Sequence, residues 1–313
     1  MTATDIPWEG FMRVLVTGAS GWIGSAVVPE LIGADHEVVG LARSDASAAA
    51  LVAAGASVVR GSIDDLDVLR DAAARADGVI HLAFKHEIAF SGGFQEAAES
   101  DRRAVETIAD ALAGTDRPFV IASGTAGLVP GGVATEADGH GTPPAHLTGG
   151  PLTRWGTAQL TLSLASRGVR ASVLRLPPTV HGEGDNGFLA TVVRVARDTG
   201  ISGYLGDGSN RWPAVHRLDA AHLFRLALEH APAGTTLHAI ADEGVPIRAV
   251  AEVIGRHLRV PVESVAPAHF TWLGAFLGLD TPASSARTRE LLGWQPAWPG
   301  LLDDLDKGHY FAG

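Results

Sequence analysis

The stretch Val14-Leu15-Val16-Thr17-Gly18-Ala19-Ser20-Gly21-Trp22-Ile23-Gly24 decides the fold of this chain. An apolar run ends in Thr-Gly, glycines follow at three-residue spacing, and a helix-like segment opens at Trp22. This strand–turn–helix pattern is the context in which a glycine-rich loop holds the pyrophosphate of a dinucleotide. Gly18 allows the tight turn, Gly21 the approach of the backbone to phosphate, and Gly24 the packing of helix on strand.

Short apolar segments alternate with alanine-rich helical segments through the first half of the chain, which predicts a parallel sheet covered on both faces. The predicted strands are Arg13–Thr17, Glu37–Ala42, Ser57–Arg60, Gly78–Leu82, Pro118–Ala122 and Ala171–Leu176. The predicted helices are roughly Trp22–Ile32, Ala46–Ala54, Asp65–Ala74, Phe94–Leu112 and Thr153–Ser166, with Ser62 as one candidate cap of the third. The fold class is therefore α/β, a Rossmann-type doubly wound parallel sheet.

The second half of the chain has a different pattern. Residues 124–151 hold eight glycines and four prolines without an apolar period, which predicts a loop that acts as a lid or a substrate-binding segment. Amphipathic segments follow at Phe188–Arg197, Asp219–His230, Ile247–Leu258 and Ser284–Leu292. We expect a dinucleotide-binding domain over residues 11–180, with returning segments near 211–242. Residues 181–313 would form a smaller, partly interleaved C-terminal substrate-binding cap beside the carboxyl edge of the sheet.

The charge and composition exclude several classes of function. With 24 basic and 35 acidic side chains the formal charge is −11, which argues against nucleic acid or an anionic membrane as a partner. The absence of cysteine excludes disulfides and thiolate chemistry, and no metal-binding motif is present. Residues 1–10 hold no apolar signal segment and no run reaches membrane-spanning length, so we expect a cytoplasmic protein. We expect a small-molecule substrate as the partner, and the sequence leaves open whether the protein forms a homodimer.

The end of the second predicted strand indicates which dinucleotide the loop would hold. An acidic residue there would accept hydrogen bonds from the adenosine ribose 2′-hydroxyl, but the sequence reads Leu41-Ala42-Arg43-Ser44. Arg43 and Ser44 suit a 2′-phosphate instead, since arginine forms charge-assisted bonds with phosphate. We therefore favour NADP(H), with NAD(H) as the alternative cofactor.

With these residues in place, the chain resembles the extended short-chain dehydrogenase/reductase superfamily, in its NAD-dependent epimerase/dehydratase branch. Thr17–Gly24 matches the TGxxGxxG loop of that family. Further matching segments are Gly61–Asp65, Val79–Ala83, Leu174–Pro177, Val215–Asp219 and Arg289–Trp294. The resemblance covers nearly the whole chain, and it is specific for the superfamily rather than for one reaction.

The resemblance implies a set of cofactor contacts. Gly18, Ser20, Gly21, Trp22, Ile23 and Gly24 would hold the pyrophosphate, and Ser62 and Ile63 would lie against the adenine. The nicotinamide ribose would meet Leu82, Ala83 and Phe84, and the carboxamide would meet Pro177, Pro178 and Thr179.

The chain departs from the family at the catalytic residues. The family's Tyr-x-x-x-Lys pair would fall within residues 148–158, which contain neither tyrosine nor lysine, and Arg154 occupies one of the two positions. An arginine stays charged and does not readily give up a proton, so Arg154 is predicted as a cofactor or substrate contact. The hydroxyl that binds the substrate carbonyl in the family corresponds to Ser123 or Thr125. Substitute proton donors are His86, His140, His146, His181 and Lys85, with a water relayed by Ser123 or Thr125 as the alternative.

These residues predict an NADPH-preferring oxidoreductase that reduces a carbonyl or imine of a small or medium apolar substrate. An imine substrate is compatible with the absence of a tyrosine proton donor, because its nitrogen can arrive already protonated. The alternatives are a non-catalytic NADP(H)-binding sensor and a sugar-nucleotide epimerase or dehydratase. The apolar residues Phe270, Trp272, Leu273, Phe276 and Leu277 are expected to serve in packing, with a substrate pocket or a subunit contact as other roles.

Overall fold

The computed structural model describes residues 10–140 and 154–312. Its strands are β1 (Arg13–Thr17), β2 (Glu37–Ala42), β3 (Ser57–Arg60), β4 (Gly78–His81), β5 (Pro118–Gly124), β6 (Arg170–Leu176), β7 (Thr179–His181), β8 (Ser202–Tyr204), β9 (Arg211–His216), β10 (Thr235–His238), β11 (Asp242–Pro246) and β12 (Val262–Ser264). Seven of them form one parallel sheet in the order β3-β2-β1-β4-β5-β6-β10. The doubly wound α/β prediction is confirmed.

The helices connect these strands across both faces of the sheet. They are α1 (Gly24–Gly33), α2 (Asp45–Ala53), α3 (Leu66–Ala74), α4 (His86–Ile88), α5 (Phe94–Leu112), α6 (Arg154–Ser163), α7 (Phe188–Thr199), α8 (Arg217–His230), α9 (Ile247–Leu258), α10 (Gly274–Leu277), α11 (Ala286–Leu292) and α12 (Leu301–Asp306). A π-helical turn at Ala89–Gly93 joins α4 to α5, and a 3-10 segment at Pro267–Leu273 precedes α10. No helix within the described residues is long and apolar enough to cross a membrane.

The core of the main sheet has two layers. One face packs against α1 and α8, and the other against α3, α5 and α6. Helix α5 is amphipathic because its apolar residues Ala97, Ala104, Ile108 and Leu112 lie four or seven positions apart, so that one stripe is buried. Burial of both faces explains why the central strands read as continuous apolar runs.

A second apolar cluster lies beyond β6. It is built around a small sheet, β7-β9-β11, and includes Leu189, Trp212, Ile254, Phe270 and Leu305. Within the stretch 211–242, helix α8 and strand β10 return to the main sheet, where α8 packs on α1. The second half thus supplies both a smaller layer and a part of the main core.

The bounds predicted for the strands of the main sheet are close to the observed ones, but several other strands were not predicted. Strand β4 ends at His81 rather than Leu82, and the first helix begins at Gly24 rather than Trp22 because the chain is still turning at residues 18–23. Ser62 does not cap α3, since its hydroxyl donates to Asp65, the residue that precedes the helix. Strands β7 to β12 were not predicted. They are short, and most of their pairing partners are far away in sequence.

Trp294, in the C-terminal segment, is part of the main core. Its ring is fully buried among residues of β1, α1 and α8, and its indole nitrogen donates to the carbonyl oxygen of Asp219 at 3.1 Å. We expect Trp294→Ala to lower the free energy of unfolding by about 3–5 kcal/mol, measured by urea denaturation. Trp298→Ala is the control: that side chain is half exposed, and we expect a loss below about 1 kcal/mol. Equal losses in the two variants would contradict this assignment.

Candidate active site

A cavity of about 1170 Å³ runs along the carboxyl-terminal edge of the main sheet. It lies where the strand order reverses between β1 and β4, the position at which open α/β sheets bind ligands. The predicted cofactor residues that line it are Gly18, Ser20, Gly21, Trp22, Ile23, Gly24, Arg43, Ser62, Ile63, Leu82, Ala83, Phe84, Pro177 and Thr179. The cavity therefore joins segments that are far apart in sequence at one edge of the sheet.

The glycines of the β1–α1 turn are required by close contacts. Gly18 has φ +67°, and a Cβ there would lie 2.7 Å from the amide nitrogen of Ala83, just beyond β4. A Cβ on Gly24 would lie 2.2 Å from the carbonyl oxygen of Gly18. The turn thus packs against β4 and α1 without intervening side chains, and the N-terminus of α1 lies at the cavity, which is the kind of position that favours an anion.

A buried series of hydrogen bonds on the core side of this turn connects β1, β4 and α5. The Thr17 hydroxyl accepts the N–H of Ala83 at 3.3 Å and lies 2.8 Å from Nδ1 of His81. Nε2 of the same imidazole lies 3.1 Å from the Asp101 carboxylate on α5. Because a carboxylate oxygen accepts, Nε2 donates to Asp101, and in the neutral imidazole Nδ1 then accepts the hydrogen of the Thr17 hydroxyl. Thr17, His81 and Asp101 are all buried and offer no exposed nucleophile, so we assign these three residues to positioning β1, β4 and α5.

The adenosine end of the cavity differs in one residue from the prediction. Arg43 lies there with 72% of its side chain exposed, 3.9 Å from the carboxylate of Glu87. Ser44 is not among the lining residues: its hydroxyl accepts the N–H of Ser47 at 3.1 Å and so caps α2. Ser47, in the first turn of α2, lines the cavity instead of Ser44. The sequence pattern could have shown the cap, because serine before a helical run is a preferred N-cap.

Arg154 lies in the cavity at the start of α6. Its Nη2 donates to the carbonyl oxygen of Ala122 at 2.7 Å, and its guanidinium lies 4.4 Å from the centre of the Phe84 ring. No carboxylate of the described residues lies within ion-pair distance of it. Burial lowers the pKa of Arg154 and the Asp101 charge opposes this, yet a guanidinium stays protonated at neutral pH. The cavity thus contains a cation whose charge is not neutralised by a direct ion pair.

His86 is a neighbour of this cation. Its ring centre lies 5.1 Å from that of Phe84 and 5.6 Å from that of Phe90, at the cavity surface. Although part of the side chain is accessible, the surrounding protein removes water from it, and Arg154 repels a second positive charge. Together they lower the pKa of His86 to about 4. The imidazole is therefore neutral at pH 7 and is a poor source of protons.

Of the two candidate hydroxyls at the end of β5, Ser123 lines the cavity. Thr125 is not a lining residue and is 1% exposed. Its N–H donates to the carbonyl oxygen of Leu176 at 3.0 Å, which holds the residue against the end of β6. Lys85 lines the cavity but is paired with Asp64 at 2.5 Å.

The other histidines predicted as proton donors are placed differently. His140 bonds the carbonyl oxygen of Glu136 at 3.1 Å, and His181 is fully buried with its Nδ1 2.9 Å from the Asp304 carboxylate. Neither is among the cavity-lining residues. His146 falls outside the residues that the structure describes.

Sequence reasoning missed a carboxylate at the cavity. Asp185 follows β7, and it accepts the N–H of Gly187 at 2.7 Å and the hydroxyl of Tyr310 at 3.0 Å. Burial raises the pKa of Asp185 against these bonds, and burial with the nearby carboxylate raises the pKa of Tyr310. The two residues are too far apart in sequence for any local pattern to have revealed the pair.

The end of the cavity near Arg154 is apolar. Five phenylalanines line it, and we call them the aromatic surface: Phe84, Phe90, Phe94, Phe188 and Phe276. The ring centres of Phe84 and Phe94 lie 6.0 Å apart, those of Phe90 and Phe188 5.7 Å, and those of Phe188 and Phe276 5.0 Å. The sequence analysis expected Phe276 to serve in packing, and it also lines the cavity.

The sheet order and the glycine turn define a dinucleotide-binding α/β protein. The family model described as the NAD dependent epimerase/dehydratase family matches residues 14–240. The chain belongs to this family, and the predicted superfamily is confirmed. The family consists of NAD-dependent dehydrogenases, epimerases and reductases, so the chain is an oxidoreductase-family enzyme whose relatives use NAD(P).

Curated relatives span the length of the chain. An uncharacterised protein of Schizosaccharomyces pombe is 48% identical over 96% of this chain and 100% of its own length. An uncharacterised protein of Saccharomyces cerevisiae is 44% identical over 94% and 98%. A 2′-dehydrokanamycin reductase of Streptomyces kanamyceticus is 30% identical over 83% and 70%.

Solved structures share the fold. The dTDP-glucose 4,6-dehydratase DesIV from Streptomyces venezuelae, solved with NAD bound, superposes with a TM-score of 0.74. It is 22% identical and the match covers 95% of this chain and 96% of that one.

The coupling between Arg154 and His86 is measurable. We expect His86 to titrate near pH 4 by NMR of its ring protons, and Arg154→Met to raise its pKa because a repelling charge is removed. The pKa should stay below 6.5, since burial remains. His216 is the internal control: its pKa is also lowered to about 4, by burial and His181, with no contribution from Arg154. A His86 pKa that does not move in the variant would contradict the coupling.

Proposed function

We propose that this chain is an NADPH-preferring oxidoreductase that reduces a carbonyl or imine group of a small or medium apolar substrate. Its cofactor would extend along the cavity from Arg43 past the glycine turn to the ends of β4 and β5. The substrate would lie against the aromatic surface.

Three features of the adenosine end support the preference for NADPH. The two residues directly after β2, Arg43 and Ser44, are not acidic, and Arg43 lies at the cavity in the position from which an acid would bind a ribose hydroxyl. Ser47 adds a hydroxyl in the first turn of α2. The Arg43 guanidinium is largely exposed and its contact with Glu87 is long, so it is free to turn towards a phosphate.

The observation that carries the proposed reaction is Arg154. It is a cation at the apolar end of the cavity, with no carboxylate of the described residues in ion-pair contact, and it lies near Ser123 on the adjoining strand end. Negative charge that develops on a carbonyl oxygen would be stabilised there, because fixed donors act strongly in a site with little water. Ser123 would donate a second hydrogen bond to the same oxygen.

The cofactor, when bound, supplies the hydride for the reduction. Arg154 polarises the acceptor but keeps its proton, and neutral His86 is a weak acid. A protonated imine avoids this difficulty, since it brings its own proton. A carbonyl would take the proton from water near Ser123. These properties support imines and activated carbonyls as the substrate classes to test first.

The two alternatives from the sequence have different requirements. A sugar-nucleotide epimerase or dehydratase would need cations for a diphosphate beside the sugar site. The lysine near the aromatic surface, Lys85, is paired with Asp64, and Arg175 donates to the carbonyl oxygens of Asp138 and Gly139. An NADP(H)-binding sensor would bind cofactor without turnover.

Cofactor choice is tested by titration with NADPH and NADH, followed by nicotinamide fluorescence. We expect Arg43→Ala to weaken NADPH binding about tenfold through loss of a charge-assisted bond, and to leave NADH binding within about twofold. Arg70→Ala, at an exposed arginine of α3 paired with Asp67, is the matched control. Equal weakening of both cofactors, or none, would exclude Arg43 as the 2′-phosphate contact.

Turnover is tested with aldehydes, ketones and cyclic imines in the presence of NADPH. We expect oxidation of NADPH by at least one apolar member. Arg154→Met should lower kcat/KM about 100-fold, the scale for loss of one oxyanion donor, and Arg154→Lys should recover part of it. Tight binding of NADPH without turnover would favour the sensor. Turnover of a nucleotide sugar alone would favour the epimerase or dehydratase alternative.

A further inference from the structure

Phe90 occupies a special position in the aromatic surface. Its ring lines the cavity and is also stacked on Trp272, with ring centres 5.1 Å apart and planes inclined by 28°. Trp272 is not a lining residue, so it supports Phe90 from outside the cavity. The two rings are 48% and 49% exposed, which is uncommon for large apolar side chains.

The backbone on both sides of this pair has an unusual conformation. Thr271, directly before Trp272, has φ +52° and ψ −123°, a region that β-branched residues almost never adopt. Phe90 lies in the π-helical turn Ala89–Gly93, in which Gly92 has φ +99°. Such conformations persist where surrounding contacts impose them, and they are enriched at ligand clamps.

The pair also joins the two halves of the chain. Phe90 belongs to the segment after β4, whereas Trp272 belongs to the 3-10 segment Pro267–Leu273, whose Phe270 and Leu273 are buried in the second apolar cluster. Phe188 touches both rings, with ring centres 5.7 Å from Phe90 and 6.0 Å from Trp272. The position of the Phe90 ring is therefore fixed by residues outside its own segment.

We propose that Phe90, positioned by Trp272, determines substrate specificity by stacking on a planar aromatic ring that carries the reducible carbonyl or imine. This rests on the proposed function for the reaction, but the stacking itself does not. Aromatic rings prefer offset or edge contacts with one another, which a saturated ring of equal carbon number cannot reproduce. Arg154 lies over Phe84 within the same aromatic surface, and in this proposal it would bind the polar group of the substrate ring.

The test compares acetophenone with cyclohexyl methyl ketone, which have the same carbon skeleton but differ in ring planarity and π-electrons. Binding of each to the full chain with NADP⁺ is measured by NMR titration, which requires no turnover. We expect acetophenone to bind about two- to tenfold more tightly. Phe90→Leu keeps an apolar side chain and should reduce the preference to below about twofold.

Trp272→Leu tests the positioning role, and Trp298→Leu is its matched control. Trp298 is equally exposed and is also stacked, on His216 at 5.0 Å, but it lies outside the cavity lining. We expect the preference for acetophenone to fall in Trp272→Leu and to persist in Trp298→Leu, with NADPH affinity unchanged in both. Circular dichroism confirms that each variant is folded before its result is counted.

The outcomes separate this inference from the proposed function. A preference for the aromatic ketone that Phe90→Leu removes supports the inference even if no ketone is reduced. Equal affinities of the two ketones, or no binding of either, overturn it even if other carbonyls are reduced. Loss of the preference in Trp298→Leu as well would overturn the role of Trp272.

Discussion

The contact between the β1–α1 turn and the end of β4 is the constraint on which the rest of the site depends. At Gly18 the turn lies so close to Ala83 that no side chain fits between them, and Gly24 lies equally close to the turn. Thr17, His81 and Asp101 fix this contact from inside the core. The glycine turn, the β4 end and helix α5 therefore act as one rigid unit, and the cavity takes its shape from their fixed separation.

Asp101 connects this scaffold to the electrostatics of the cavity. Its carboxylate is used by His81, but its field also reaches Arg154 and His86, raising the pKa of both against the effects of burial. Burial and repulsion by Arg154 together keep the imidazole of His86 neutral. The guanidinium of Arg154 thus remains a positive charge held by the fold at the aromatic end of the cavity, with no carboxylate of the described residues in direct contact and the Asp101 carboxylate buried nearby. That arrangement stabilises a developing anion better than it delivers a proton.

The sequence predicted those parts that depend on local patterns. Strands β1, β2 and β3 have the predicted bounds, because alternation of apolar runs with glycine and helical segments is a local signal. The glycine turn was found for the same reason, whereas Leu82, Ala83 and Phe84 after β4 were named from the family resemblance, and they line the cavity. The six strands after β6 escaped prediction because each is short or pairs with a distant segment. Asp185 with Tyr310, and Phe90 with Trp272, are likewise contacts between distant segments, which no spacing rule detects. Ser44 was predicted as a cofactor contact because the cap that directs its hydroxyl onto α2 was overlooked, and Ser47 was not considered.

The two ends of the cavity differ in how they are built, and this has a consequence for specificity. The cofactor end comes mostly from loops of the main sheet, whose positions are set by ladder hydrogen bonds and by contacts too close for side chains. The opposite end combines the segment after β4 with Phe188 and Phe276 from the second half, held by ring contacts between side chains. Side-chain contacts tolerate substitution more readily than backbone contacts do. Substitutions in the second half can therefore reshape the aromatic end of the cavity without displacing the glycine turn.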